Sequence, residues 1–184
     1  MPDSCTVAVL GGGSFGTVIA NIIACNDNRV RLWLRNEERA SAINGERQNS
    51  EYLPGYLLHD KLEATASLAR AVSGVDVIFV AVPSSSFRAV VRELAVHVPA
   101  ETLVISLTKG IEPGGFRLMS EILAQEMPAN PRGVLSGPNL AGEIAAPPRG
   151  AGVPGWLHDL VVKGMSVEPG DRFPSMSALL ARLV

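Results

Sequence analysis

The chain has 184 residues, 47% of them apolar and 18% charged, with a formal net charge of −2. That length suits one ordinary domain with a full core and a small appendage, and the composition excludes a disordered chain. The near-neutral balance excludes a broad electrostatic footprint for nucleic acid or an anionic membrane.

The first expected element is a strand, Cys5 to Leu10, followed by the glycine-rich turn Gly11-Gly12-Gly13-Ser14-Phe15-Gly16 and a helix from Ser14 to Cys25. Gly11, Gly13 and Gly16 have the G-x-G-x-x-G spacing of a dinucleotide-binding turn. Gly11 permits the tight exit from the strand, Gly13 leaves bare backbone for a pyrophosphate, and Gly16 lets the helix approach the sheet. The phosphates would meet unpaired N–H groups at a helix N-terminus, where the macrodipole favours negative charge.

A second strand, Arg29 to Leu34, leads to a polar helix from Asn36 to Asn44 and a loop around Tyr52-Leu53-Pro54-Gly55. A short strand near Leu62 and a helix from Ser67 to Val72 come next. Val75 to Val82 is almost wholly apolar, as a parallel strand covered on both faces should be. Pro83 ends it, and Ser84 to Val96 has helical periodicity. A strand from Thr102 to Ser106 precedes the Thr108-Lys109-Gly110 turn, and a helix from Phe116 to Glu126 and a strand from Gly133 to Ser136 close the series. This alternation predicts an α/β fold, a doubly wound parallel sheet of the Rossmann type, with every strand-to-helix turn at one edge.

At Ala146 the composition changes. Residues 147–155 form a Pro/Gly linker, poor in helix or central-strand formers. Residues 156–184 carry two short amphipathic segments and are too few for a core of their own, so the expectation is a dinucleotide-binding domain over 1–146 and a dependent helical tail.

No apolar run reaches bilayer length, and the N-terminus lacks a basic region ahead of an apolar core, so a soluble, cytoplasmic protein is expected. Cys5 and Cys25 cannot make a disulfide framework and fall on apolar elements, which points to buried reduced thiols. His59, His97 and His158 have no metal-ligand spacing, so no metal is expected.

Six separated segments, in order, resemble the N-terminal domain of NAD(P)-dependent glycerol-3-phosphate dehydrogenase. They are Gly11 to Thr17, Leu32-Trp33-Leu34-Arg35, Asn49-Ser50-Glu51-Tyr52-Leu53-Pro54-Gly55, Ala81-Val82-Pro83-Ser84, Ser106-Leu107-Thr108-Lys109-Gly110, and Ser136 to Glu143. The likeness carried by these motifs covers residues 1 to about 146. It implies reduction of dihydroxyacetone phosphate to glycerol 3-phosphate by hydride transfer from NADH or NADPH.

The resemblance implies cofactor contacts at Gly11, Gly13, Ser14, Phe15, Gly16, Arg35, Lys109 and Ala141, and substrate contacts at Lys109, Gly137 and Asn139. Each position also has an ordinary reading. Ser14 and Phe15 could simply begin a helix, Lys109 could be solvated, and Asn139 could be a helix N-cap after a Gly137-Pro138 turn. Arg35 stands about 20 residues past the glycine turn, where an acid grips the ribose hydroxyl of NAD and arginine accommodates a 2′-phosphate. It tilts the reading towards NADP, while Glu37 and Glu38 keep NAD open. Trp33, Tyr52 and Pro83 are read mainly as shape.

Reduction of a ketone needs a proton donor at the carbonyl oxygen. In the family this is a second lysine on a C-terminal all-helical domain. The only lysine after Lys109 is Lys163, in surroundings unlike that site, so no catalytic residue is assigned and turnover is expected to be absent or very slow. The tail, with Glu168-Pro169-Gly170-Asp171-Arg172-Phe173-Pro174, resembles the end of a bacterial Ser/Thr protein kinase domain. No kinase Gly-rich loop, H-R-D or D-F-G sequence accompanies it, so phosphoryl transfer is rejected. The competing reading is a non-catalytic interaction protein or fusion remnant, its former interdomain face covered by a second copy or a partner chain.

Overall fold

The computed structural model describes residues 5–137. In chain order the elements are β1 (Thr6–Leu10), α1 (Ser14–Cys25), β2 (Arg29–Trp33), α2 (Glu37–Glu46), β3 (Leu62–Thr65), α3 (Leu68–Val72), β4 (Val77–Val80), α4 (Ser84–Leu94), β5 (Leu103–Ser106), α5 (Met119–Glu126) and β6 (Arg132–Val134). The expected tail segments lie outside the described residues.

The strands form one six-stranded sheet in the order β3-β2-β1-β4-β5-β6, with every pairing parallel. This is the expected doubly wound Rossmann-type sheet. Strand order reverses between β1 and β4, so a crevice opens beyond their C-terminal ends.

Alternation along β1 explains how the sheet is covered. Val7 and Val9 face a core with Ala20 and Ala24 of α1 and Ile43 of α2. Ala8 and Leu10 face the other core, with Phe87, Val91 and Leu94 of α4 and Ile122 and Leu123 of α5. Successive side chains leave a strand on opposite faces, so a strand buried on both sides must be apolar at every position.

Local chemistry sets several boundaries. Asn36 accepts a hydrogen bond from the Arg39 N–H at 2.8 Å and so caps α2, and Ser67 caps α3 through the Arg70 N–H. Helix α5 starts at Met119 rather than Phe116. The preceding segment is held in a tight loop, with an isolated bridge between Ile111 and Leu118 and positive φ at Gly114 and Phe116. Leu118 then donates its N–H to Glu121 Oε2 at 2.7 Å, which sets the start of the helix.

The cysteines correct the sequence expectation. Cys5 and Cys25 are free and exposed. Cys5 precedes β1 and Cys25 is the last residue of α1, so both side chains lie at element ends, clear of the two cores. No helix among the described residues is long and apolar enough to cross a membrane.

Candidate functional site

Strand β1 hands the chain to α1 through a turn that glycine alone fits. Gly11 has φ +127°, outside the range comfortable for a side chain, and a Cβ there would collide with the Ala81 carbonyl. A Cβ at Gly16 would overlap the carbonyl oxygen of Gly11, so helix and strand meet backbone to backbone. Gly13 differs: a Cβ there would meet nothing within 4 Å. Its missing side chain leaves open space on the cleft side, whereas those of Gly11 and Gly16 permit close packing.

Gly13 is also the N-cap of α1, with no side-chain hydrogen bond closing that end. The helix therefore presents its first N–H groups and the positive end of its dipole to the cleft. Space at Gly13 and an uncapped helix start both suit a bound pyrophosphate.

This turn lines a cavity of about 590 Å³ between the C-terminal ends of β1, β2, β4 and β5. Gly11, Gly13, Ser14, Phe15, Gly16, Arg35 and Lys109 all line it, so seven expected positions from three separate segments meet at one site. Gly137 is described and does not line the cavity, while Asn139 and Ala141 lie outside the described residues.

Backbone and side-chain bonds fix the rim. Gly11 donates its N–H to Trp33 O at 2.9 Å, and Ala81 donates to Leu10 O at 2.7 Å. Thr108 donates its hydroxyl to Val82 O at 2.7 Å, tying the exit of β5 to that of β4 just before Lys109. The Lys109 ammonium stands 5.9 Å from the centroid of the Phe15 ring. Further out, Arg88 of α4 binds Glu112 in the loop after Lys109 and Glu126 of α5, the latter also held by Arg92. Those guanidiniums, Arg92 foremost, hold the Glu126 carboxyl at about 2, and Arg88 lowers that of Glu112.

Three residues of the site escaped the sequence reading. Asn49 is buried, and its amide donates to Gly12 O at 3.0 Å and Thr17 Oγ1 at 2.8 Å, which seats the loop before β3 on the glycine turn. Arg39 lines the cavity with its guanidinium 4.6 Å from the centroid of the Tyr52 ring. Glu51 pairs with Arg39 at 2.9 Å. Asn49 and Glu51 sit inside the segment that contributes to the resemblance; Arg39 has no sequence signal beyond its place in α2.

Trp33, read mainly as shape, is buried and donates Nε1–H to Ala66 O at 3.0 Å, and both it and Pro83 line the cavity. Tyr52 lines the cavity as well, with its ring against the Arg39 guanidinium. Among the described residues no carboxylate lines the cavity, and no group of His, Cys, Asp and Glu could hold a metal ion.

Comparison with known proteins follows the same outline. Residues 6–150 match the family model described as NAD-dependent glycerol-3-phosphate dehydrogenase N-terminus. The chain is 52% identical over 163 residues to a glycerol-3-phosphate dehydrogenase [NAD(P)+] of Teredinibacter turnerae, covering 89% of this chain and 48% of that protein. It is 51% identical over 163 residues to the same-named protein of Saccharophagus degradans, covering 89% and 46%. These matches reach past residue 146, further than the quoted motifs carry the likeness. The crystal structure of glycerol-3-phosphate dehydrogenase from Coxiella burnetii superposes with a TM-score of 0.74 at 35% identity, covering 78% of this chain and 44% of that one. The chain thus spans about half the length of the curated relatives it matches.

Proposed function

Because the chain belongs to the NAD-dependent glycerol-3-phosphate dehydrogenase N-terminal family, we propose that residues 1–146 are a dinucleotide-binding domain that holds NADP or NAD. Residues 147–155 act as a linker and residues 156–184 as a helical tail without phosphoryl-transfer activity. The observation that carries the reading is the uncapped start of α1 opening onto the cavity at Gly13, where a side chain would have free space.

In this reading Gly11, Gly13, Ser14, Phe15 and Gly16 receive the pyrophosphate, and Arg35 receives the ribose end. Lys109 and Ala141 complete the cofactor contacts, and Lys109, Gly137 and Asn139 hold the phosphorylated three-carbon substrate. When bound, the cofactor supplies the hydride that reduces dihydroxyacetone phosphate to glycerol 3-phosphate. The ammonium of Lys109 suits a phosphate or a polarised carbonyl oxygen. The proton for that oxygen needs a separate donor, and no lysine among the 184 residues matches the family's second one.

Calorimetric titration of the chain with NADPH and NADH, beside a Gly13→Asp variant, tests the reading. Saturable binding that disappears in the variant supports it. A folded chain that binds neither nucleotide overturns it.

A second reading, self-association of this chain, draws on the exposed apolar side chains Phe116 and Leu118 before α5 and Val134 and Leu135 at β6. A sedimentation coefficient that rises with concentration supports it, and a monomer throughout overturns it.

A further inference from the structure

The cavity end near β2 carries two guanidiniums of unequal standing. Arg35, just past the strand, is exposed and has no hydrogen-bond or ion-pair partner among the described residues. Arg39, in the first turn of α2, is held from three sides. Its Nε pairs with Glu51 Oε2 at 2.9 Å, its Nη2 reaches towards Gly12 O at 3.5 Å, and its plane lies over Tyr52. Glu51 itself does not line the cavity, and its side chain is 56% exposed against 31% for Arg39. A carboxylate outside the pocket thus neutralises a cation inside it.

We infer that Arg39 is a second guanidinium for the 2′-phosphate of NADPH and that Glu51, by occupying it, restrains the preference for NADPH over NADH. The inference rests on the dinucleotide reading above. Arginine suits a phosphate because its planar fork offers paired donors and a permanent charge. Stacking on Tyr52 and the reach to Gly12 keep the fork in place whether or not Glu51 is present. The carboxylate opposes a phosphate at Arg39 in two ways: it holds one edge of the guanidinium, and its charge repels a phosphate bound to the same group. NADH has a neutral hydroxyl where NADPH has the phosphate, so it does not feel this repulsion there. The pyrophosphate is common to both nucleotides, and its effect cancels in their ratio. Glu37 and Glu38, the acids that kept NAD open on sequence grounds, lie in the first turn of α2 and outside the cavity lining. The acid engaged with the pocket is Glu51.

The test is calorimetric titration of the full chain with NADPH and NADH, comparing the ratio of dissociation constants among variants. Glu51→Gln keeps the shape, removes the charge and changes an exposed side chain, so folding should be unaffected; circular dichroism checks this. The ratio should move towards NADPH on the order of tenfold, the scale of one unit charge a few ångströms away in partly aqueous surroundings. Arg39→Met should weaken NADPH by a similar factor and leave NADH nearly unchanged. Glu93→Gln on the exposed face of α4, with the same change in net charge, should leave the ratio alone. A ratio that stays put or moves towards NADH in Glu51→Gln overturns the inference, as does a shift of equal size in Glu93→Gln. If the unsubstituted chain binds neither nucleotide, the cofactor reading falls first and this inference falls with it; if both bind and only the ratio fails to move, the inference alone is wrong.

Discussion

The side-chain amide of Asn49 donates to the carbonyl oxygen of Gly12 at 3.0 Å, joining residues 37 positions apart behind the glycine turn that lines the cavity. The same nitrogen serves Thr17 Oγ1 at 2.8 Å, so a single buried group supports the glycine turn and the first turn of α1 together.

Asn49→Ala is therefore expected to destabilise the chain by about 1–3 kcal/mol, because buried oxygens lose their donor and water has little access to replace it. Urea titration should show a lower midpoint with an unchanged slope. Nucleotide affinity should fall too, since the turn loses its support. An unshifted midpoint would show that the bond adds nothing.

Gly16 and Gly13 should respond unequally to the same change. Gly16→Ala places a methyl on the Gly11 carbonyl and should cost about 1–3 kcal/mol by forcing α1 off the sheet. Gly13→Ala has free space and a backbone any residue adopts, so its stability loss should stay below about 1 kcal/mol. Nucleotide binding should nonetheless be lost in Gly13→Ala, because the methyl occupies the approach to the helix start. Denaturation and calorimetry on both variants check this, and a Gly13→Ala chain that binds normally contradicts the cleft assignment.

Acid should loosen the α4–α5 contact. Arg92 and Arg88 hold the folded Glu126 carboxyl at about 2, against about 4.3 for an unfolded glutamate. The unfolded chain thus takes up more protons across that interval, and stability rises with pH there. The contribution is fully present above the unfolded value and is lost as pH falls towards about 2; Glu112, lowered by Arg88, adds in the same direction. Thermal melts between about pH 5 and pH 2 should show Glu126→Gln with a shallower decline than the parent. Equal slopes would rule out this source of acid sensitivity.

The 184-residue chain should bind nucleotide without turning it over. No dihydroxyacetone-phosphate-dependent loss of NADPH absorbance is expected from pure protein at concentrations that saturate the cofactor site. Sustained turnover would mean that a proton donor other than a matching second lysine is at work.

Much of this architecture was legible in the residues. Near-continuous apolar runs such as Val77–Val80, and the alternation of strand and helix signals, are local properties of the chain, and burial on both faces of a parallel sheet leaves them little freedom. The glycine turn was legible for the same reason, since its geometry is set within six consecutive positions, Gly11 to Gly16. The sequence by itself therefore determined the sheet type, the order of elements and the position of the glycine turn.

The partners across the cleft were decided only by the tertiary structure. Nothing local tells Asn49 that it will sit beneath Gly12, or Arg39 that Glu51 will hold it; those pairings exist because β1, β2 and the loop before β3 converge at one sheet edge. Exposure of Cys5 and Cys25 is likewise a matter of where elements end rather than of residue type. Periodicity reports which face a side chain takes, whereas hydrogen bonds and ion pairs between distant segments depend on how those faces are brought together.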